Sequence, residues 1–366
     1  MNPSVRRSAA HATAYAALTV LVCPALLWWG AVDLPDEYLE LNTSSLAFFA
    51  RELVAGRWPG WNPYLLGGMS VAADPTCLAP WYPFGWLLAL LPLDAFVLLA
   101  WLGHLGVGAA GVHRLALDSG ARRLGASAAG VASLCGTSSV AAMVDGQLDV
   151  VTVIAWLPWA LVAMQRAFEA PTRADRLRAI GWAALALGLM ALGAHARFAA
   201  LGFGALGLHG ALLWLTAERD GRPRPLPWAL AIGAMLAGGV LLCAPAVLPA
   251  VLEVQATRSA LPEAGGDLLG QVLWPRAWTG LLYPRAFVID ERWYHLGPAI
   301  LLLPLALRGN RRARALAGSA LLLFLVGMGL AGPLGWLVRP ILGLLYPVET
   351  GAAATGLVFA AVGLGL

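Results

Sequence analysis

The stretch "AFVLLAWLGHLGVGAAGVHRLAL", residues 95–117, is a continuous apolar run broken by one arginine, Arg114, and two histidines, His104 and His113. As an α-helix it is long enough to cross the hydrocarbon core of a bilayer, which takes about 17–25 residues. Similar runs recur near 12–32, 124–144, 150–166, 179–194, 198–216, 227–250, 295–308, 315–331 and 350–366. Two further apolar pieces, 81–93 and 333–346, contain Pro or Gly, are too short to cross upright, and read as interfacial or re-entrant. A membrane β-barrel would instead alternate polar and apolar side chains over about ten residues per strand, whereas these runs are continuous and rich in Leu, Ala and Gly. The pattern predicts an all-α integral membrane protein, a polytopic helical bundle of about 10 transmembrane helices forming one domain over residues 1–366.

Composition agrees. The chain is 60% hydrophobic and 12% charged, with a mean hydropathy of +0.73, against about 25% charged residues in a soluble domain. A net charge of +4 scattered over many short loops forms no basic face and argues against a nucleic-acid partner. All 24 basic residues are arginine. Cys23, Cys77, Cys135 and Cys243 are far apart and outline neither a disulfide framework nor a metal site. The first run follows Arg6 and Arg7 like a signal peptide, yet it has no small-residue cleavage site and passes into an acidic segment, so it reads as a retained span. The last run ends at "GLVFAAVGLGL" with no polar residue to cap it, as expected of a truncated C-terminus.

Short cytoplasmic loops carry the excess of Arg. With the N-terminus inside, Arg6, Arg7, Arg122, Arg123, Arg166, Arg173, Arg176, Arg178, Arg219, Arg222, Arg224, Arg308, Arg311, Arg312 and Arg314 all fall on the cytoplasmic side. The same assignment puts Asp33, Asp36, Glu37, Glu40, Glu52, Asp74, Asp94, Asp145, Asp149, Glu253, Glu263, Asp267, Asp290, Glu291 and Glu349 outside. The orientation rule does not govern carboxylates, so an outward-facing chemical site is one cause for their concentration. The two long polar segments, 33–80 and 253–294, are also outer loops in this map.

In the first of them, Leu39, Leu46, Phe49, Ala50 and Leu53 recur at helical spacing, as in a helix lying along the membrane surface. It is followed by "GRWPGWNPYLLGG", residues 56–68, whose Trp61, Asn62 and Tyr64 read either as substrate contacts or as part of an aromatic belt. Asp33, Asp36 and Glu37 stand close enough for mutual repulsion to raise one pKa. One of them is a candidate general base towards a hydroxyl, the alternative being carboxylates that face water. "GAHARF" puts His195 and Arg197 in a turn at membrane depth, where an ionisable group points to function or to a snorkelling arginine. Glu253 and Arg258 follow the 227–250 span and would pair with each other or bind an anion such as phosphate. Asp290, Glu291, Arg292 and His295 form a further polar group at the outer end of a span. The six histidines are widely separated, with no HxxxH or HExxH spacing, so no metal site and no cofactor is read from the chain. Nucleotide-binding fingerprints and a GxSxG elbow are absent as well.

Several of these segments, in order, resemble the bacterial YfhO-like membrane proteins of the GT-C class of polyprenyl-phosphate-sugar-dependent glycosyltransferases. The resemblance runs through "DLPDEYLEL" (33–41), with Asp33 five residues before Tyr38, then "GRWPGWNPYLLGG" and "YPFGWLLALLP" (82–92). It continues through "WLPWAL" (156–161), "GAHARFAALGF" (193–203), "PAVLPAVLEVQATRS" (245–259) and "LLYPVETGAAATGLVFAAVGLGL" (344–366). Where that family has a Gly-His-Pro-Gln-like turn, this chain has Ala194, His195, Ala196 and Arg197.

The resemblance implies a bundle of spans with an outer cavity and a polyprenyl-phosphate-linked sugar as donor. It also implies a cell-envelope acceptor and a bacterial cytoplasmic membrane. Asp33 is then the expected base and Asp36 its local competitor, with Arg197, Arg258 and His195 around the donor phosphate. Tyr38, Trp61, Asn62, Tyr64, Glu253, Asp290 and His295 are the expected substrate contacts. A transporter or flippase, or a non-catalytic membrane subunit, is the competing reading; a transporter needs polar side chains within the spans, where His104 and His113 are the main exceptions.

Overall fold

The computed structural model describes residues 3–22, 43–64, 68–71, 80–135, 139, 148–194, 196–218, 223–258 and 310–327. Among them the chain is mostly helical: α1 (Pro3–Val22), α2 (Ser44–Val54), a 3-10 helix (Pro83–Ala89), α3 (Leu93–Asp118), α4 (Arg123–Cys135), α5 (Leu148–Glu169), α6 (Arg173–Gly193), α7 (Ala196–Leu215), α8 (Pro225–Arg258) and α9 (Arg311–Gly327). Among the described residues, four stretches are long and apolar enough to cross a membrane: Leu93–Asp118, Leu148–Glu169, Arg173–Gly193 and Pro225–Ala246. They coincide with apolar runs read from the sequence, while the runs at 295–308 and 350–366 lie outside the described residues.

Helix ends depart from the apolar runs where capping, and not hydropathy, decides. α1 begins at Pro3 and takes in Arg6 and Arg7. α8 continues through Pro245 and Pro249 to Arg258, so residues 253–258 are helical where a loop was expected. α3 closes with Gly120 at a φ of 100°; the Ala121 N–H donates to Ala116 O and the Gly120 N–H to Leu117 O, both at 3.0 Å. This paired closure satisfies carbonyls that a helix end leaves open. α6 starts on a reciprocal cap, with Thr172 Oγ1 accepting from the Asp175 N–H at 3.1 Å and donating to Asp175 Oδ2 at 2.7 Å. α9 starts on Asn310, whose Oδ1 accepts from the Ala313 N–H at 3.0 Å.

α3 is the central element. It packs against α1, α4 and α5; α6 packs on α5 and α8, and α7 lies against α5, α6, α8 and α9. Two seams of α3 are made by glycine. A methyl on Gly106 would come within 2.6 Å of Ala12 O in α1, and one on Gly108 within 2.7 Å of Ile154 O in α5. The second contact has a local cause. Pro158 sits inside α5 and has no N–H to donate to Ile154 O four residues earlier, so that carbonyl is open to the Gly108 Cα–H. Next along the seam, Gly111 lies against Pro158 and the Trp159 indole, and Trp159 Nε1 donates to Val107 O at 2.9 Å. Small residues let membrane helices approach closely where the hydrophobic effect gives no drive between them.

One end of the bundle is rich in arginine, and its carboxylates are shared. Asp118 pairs with Arg114 at 2.8 Å and Arg166 at 3.0 Å. Glu169 receives both Arg311 and Arg312, and the Arg311 guanidinium also covers the Phe168 ring at 4.7 Å. Next to these pairs runs a buried polar chain. Asn310 Nδ2 donates to Ser119 O at 2.6 Å, the Ser119 hydroxyl and the Gln165 amide lie 3.2 Å apart, and Gln165 Nε2 faces His209 Nε2 at 3.4 Å. His209 Nδ1 lies 3.2 Å from Ser319 Oγ. Because Ser319 Oγ donates to Ala315 O at 2.7 Å, Nδ1 carries the proton and Nε2 is the acceptor towards Gln165. These side chains correct the expectation that His104 and His113 are the main polar exceptions in the spans: Gln165 and His209 are fully buried in α5 and α7.

The opposite end carries a cap made by residues 43–64, 68–71 and 80–92. α2 buries Ser45, Leu46 and Phe49. It ends on Gly56 at a φ of 70°, with the Arg57 N–H donating to Glu52 O and the Gly56 N–H to Leu53 O, both at 2.9 Å. A short antiparallel ladder follows, β1 (Trp61–Asn62) on β2 (Met69–Ser70), with Trp61 opposite Ser70. Gly68, at a φ of 113°, lies under the Trp61 indole, where a methyl would come within 2.8 Å. Gly68→Val is therefore expected to open this hairpin, through clash and about 1–3 kcal/mol of backbone strain. Faster amide exchange at Val71, whose N–H donates to Gly60 O at 3.2 Å, is the measurement.

Candidate functional site at the capped end

The cap meets the bundle at Tyr82, which precedes the 3-10 helix and is 3% exposed. Its hydroxyl lies 2.5 Å from His104 Nε2 in α3 and accepts from Trp156 Nε1 in α5 at 2.8 Å. His104 Nδ1 is 2.6 Å from Ala100 O. A carbonyl can only accept, so Nδ1 carries the imidazole proton and Nε2 accepts from the Tyr82 hydroxyl. The direction of every proton in the array follows: Trp156 N–H to Tyr82 O, Tyr82 O–H to His104 Nε2, His104 Nδ1–H to Ala100 O. Burial pushes the Tyr82 hydroxyl pKa up, partly offset by the Trp156 hydrogen bond, so the phenol stays a donor. Phe84 closes the array edge-on at 5.0 Å from the His104 ring.

The same tyrosine reaches the α6–α7 turn. A methyl on Gly193 would come within 2.8 Å of Thr152 and 3.3 Å of the Tyr82 ring, so the end of α6 rests directly on α5 and the cap. Ala194 then adopts extended backbone, with φ −112° and ψ 151°, and α7 begins at Ala196. Arg197 thus falls in the first turn of α7, where backbone N–H groups lack helical partners and the helix dipole favours an anion.

Of the residues singled out from sequence, Trp61, Asn62 and Tyr64 are described in full. Trp61 is exposed on β1, and Tyr64 is exposed beside Phe48, at 6.2 Å between ring centroids, with the Arg51 guanidinium 5.2 Å from its ring. Asn62 is buried, and its Oδ1 accepts from the Tyr64 N–H at 3.0 Å, which shapes the turn between them. Arg197, Glu253 and Arg258 lie on α7 and α8, and their side chains lie outside the described set. Along the continuous helix, positions 253 and 258 fall about 140° apart around the axis, so helical register does not bring that pair together. Asp33, Asp36, Tyr38, His195, Asp290 and His295 lie outside the described residues.

Sequence reasoning missed Tyr82 and Trp156 as partners of His104. The available signal was a lone histidine in an apolar run, which in lipid demands a partner, together with tyrosine and tryptophan in flanking motifs. Glu52, expected as one more outer acid, is held by Arg57 through hydrogen bonds at 2.7 and 2.9 Å, and this contact keeps its carboxyl below the usual carboxylate range. The exposed indoles Trp58 and Trp86 lie 6.0 Å apart between centroids on the same cap. Among the described residues no three His, Cys, Asp or Glu side chains converge on a metal-sized site. No protein-family model, no curated protein and no solved structure matches the chain.

Proposed function

We propose that the chain is a multi-pass glycosyltransferase of the GT-C class, with about ten spans and its N-terminus in the cytoplasm. It moves a sugar from a polyprenyl-phosphate donor to a cell-envelope acceptor on the outer face of the bacterial cytoplasmic membrane. Asp33 takes the proton of the acceptor hydroxyl as that oxygen attacks the anomeric carbon and the polyprenyl phosphate leaves; Asp36 is its competitor for the role. Arg197, Arg258 and His195 balance the phosphate charge. Tyr38, Trp61, Asn62, Tyr64, Glu253, Asp290 and His295 contact the substrates, and α2 lies in the membrane interface.

The observation that carries this reading is the meeting of two parts at one end of the bundle. The cap, residues 43–64, 68–71 and 80–92, comes against the end of α6 at Tyr82 and Gly193, and Arg197 stands in the first turn of α7, the next helix. A helix N-terminus with an arginine suits the phosphate of a lipid-linked donor. The buried Gln165–His209–Ser319 chain is what would favour a transporter. It stays near the arginine-rich end, and residues 157–164 of α5 between Trp156 and Gln165 offer one hydrogen-bonding side chain, Trp159, already engaged with Val107 O.

The test is transfer from polyprenyl-phosphate sugars in membranes holding the full chain, with Asp33→Ala, Asp36→Ala and the double variant. Loss of transfer in Asp33→Ala at unchanged protein level is the expected result. Full activity in the double variant removes the base assignment. A wild-type chain that moves no sugar from any polyprenyl phosphate sinks the enzyme reading.

A further inference from the structure

We propose that Tyr82 is a positioning residue: pinned by His104 and Trp156, it seats Gly193 and so sets the end of α6 and the first turn of α7, where Arg197 stands. The functional part of this inference rests on the glycosyltransferase reading; the structural part does not.

Three features carry it. Tyr82 belongs to the cap, yet both its hydrogen bonds go to the bundle, at 2.5 Å to α3 and 2.8 Å to α5. Its hydroxyl therefore ties three segments that are distant in sequence, and each donor in the array has one acceptor, which leaves a single arrangement of protons. Its ring, not its hydroxyl, faces Gly193: a methyl there would come within 3.3 Å of the ring, after Thr152 at 2.8 Å. The hydrogen bonds fix where the ring stands, and the ring, with Thr152, bounds the space beside Gly193 where α6 ends. The seat also needs a glycine: any side chain at 193 would be driven into Thr152 and Tyr82. In the proposed reaction, donor phosphate is bound by the beginning of α7, so a turn free to shift would weaken donor binding and leave the proton-transfer step at the acceptor unaltered.

The variants are Tyr82→Phe, which keeps the ring and removes the hydroxyl, His104→Leu, and His104→Gln, whose side-chain oxygen can accept from Tyr82. Amide hydrogen exchange is read on the full chain in nanodiscs, for peptides spanning 193–199 and, as a control, the middle of α6. Tyr82→Phe and His104→Leu are expected to speed exchange at the turn about tenfold with the control unchanged, and His104→Gln is expected to restore most of the protection. In the transfer assay, Tyr82→Phe is expected to raise the donor KM about tenfold with kcat within about twofold. Unchanged exchange at the turn in Tyr82→Phe overturns the proposal whatever the activity. Equal acceleration at the turn and the control overturns it too, since the residue would then act on the stability of the whole bundle. A shifted turn with an unchanged donor KM overturns its functional part. A shifted turn in a chain that transfers no sugar leaves the positioning role standing and the enzyme reading refuted.

Discussion

Gly108→Leu is expected to destabilise the bundle by about 3 kcal/mol, the upper part of the usual range for overpacking a filled interface. The reason is that the obstacle is backbone. A side chain at 108 meets Ile154 O at 2.7 Å and the neighbouring carbonyl carbon at 3.1 Å, and neither can move by changing rotamer. Separation of α3 from α5 would also break the Trp159 bond to Val107 O and lift Gly111 off Pro158, so the damage spreads along the whole seam. Gly103 on the same helix is the internal control, because a methyl there meets nothing within 4 Å. Gly103→Leu is expected to change stability by less than about 0.5 kcal/mol, as substitutions away from packed features do. Reversible unfolding in mixed micelles, followed by tryptophan emission, measures both. Equal effects of the two substitutions would show that the α3–α5 contact is not glycine-dependent.

Gln165→Leu is the second large effect, about 2 kcal/mol, within the range for stranding buried polar partners. Gln165 stands in the middle of its chain, between the Ser119 hydroxyl and His209 Nε2. Its removal leaves the imidazole nitrogen buried and without its donor. His209→Leu is milder, about 1 kcal/mol, because Ser319 Oγ keeps its own bond to Ala315 O. The double variant is expected to lose about 1 kcal/mol less than the sum of the two, since removing both partners together leaves fewer orphaned groups. Hydrogen bonds between membrane helices average about 0.6 kcal/mol, so the single effects exceed that mean only because these groups are shut off from water. Strict additivity in the same unfolding measurement would mean that the two side chains do not interact.

Much of the helical frame was legible because hydropathy and helix length answer to the same bilayer. The run at 95–117 became α3 with little change. What the pattern could not supply were helix ends and polar partners. α8 passed the expected limit near 250 because helix continuation costs little at Val251–Leu252 and no cap intervenes, whereas Glu253 reads in sequence as the start of a loop. α9 began at Arg311 because Asn310 caps it, although the apolar run starts later. Lone polar residues such as Gln165 and His209 look like noise within their own runs; their meaning comes from helices 44 and 110 residues away in sequence. The candidate site was legible in part. The aromatic segment and the 193–197 stretch stood out as motifs, but nothing local announces that Tyr82 comes against Gly193.

The two seams of α3 face different neighbours made at different times. Gly106 receives α1, which is synthesised first, and Gly108 and Gly111 receive α5, which follows α4. During synthesis α3 can therefore dock on a finished partner at once, while its other groove stays lined by lipid tails until Pro158 and Trp159 emerge. By chain order, the α1 side of α3 can be complete before its α5 side. A substitution that fills Gly108 would be felt at the moment α5 arrives, as a surplus of half-assembled chains for quality-control proteases, before any mature protein exists to be measured.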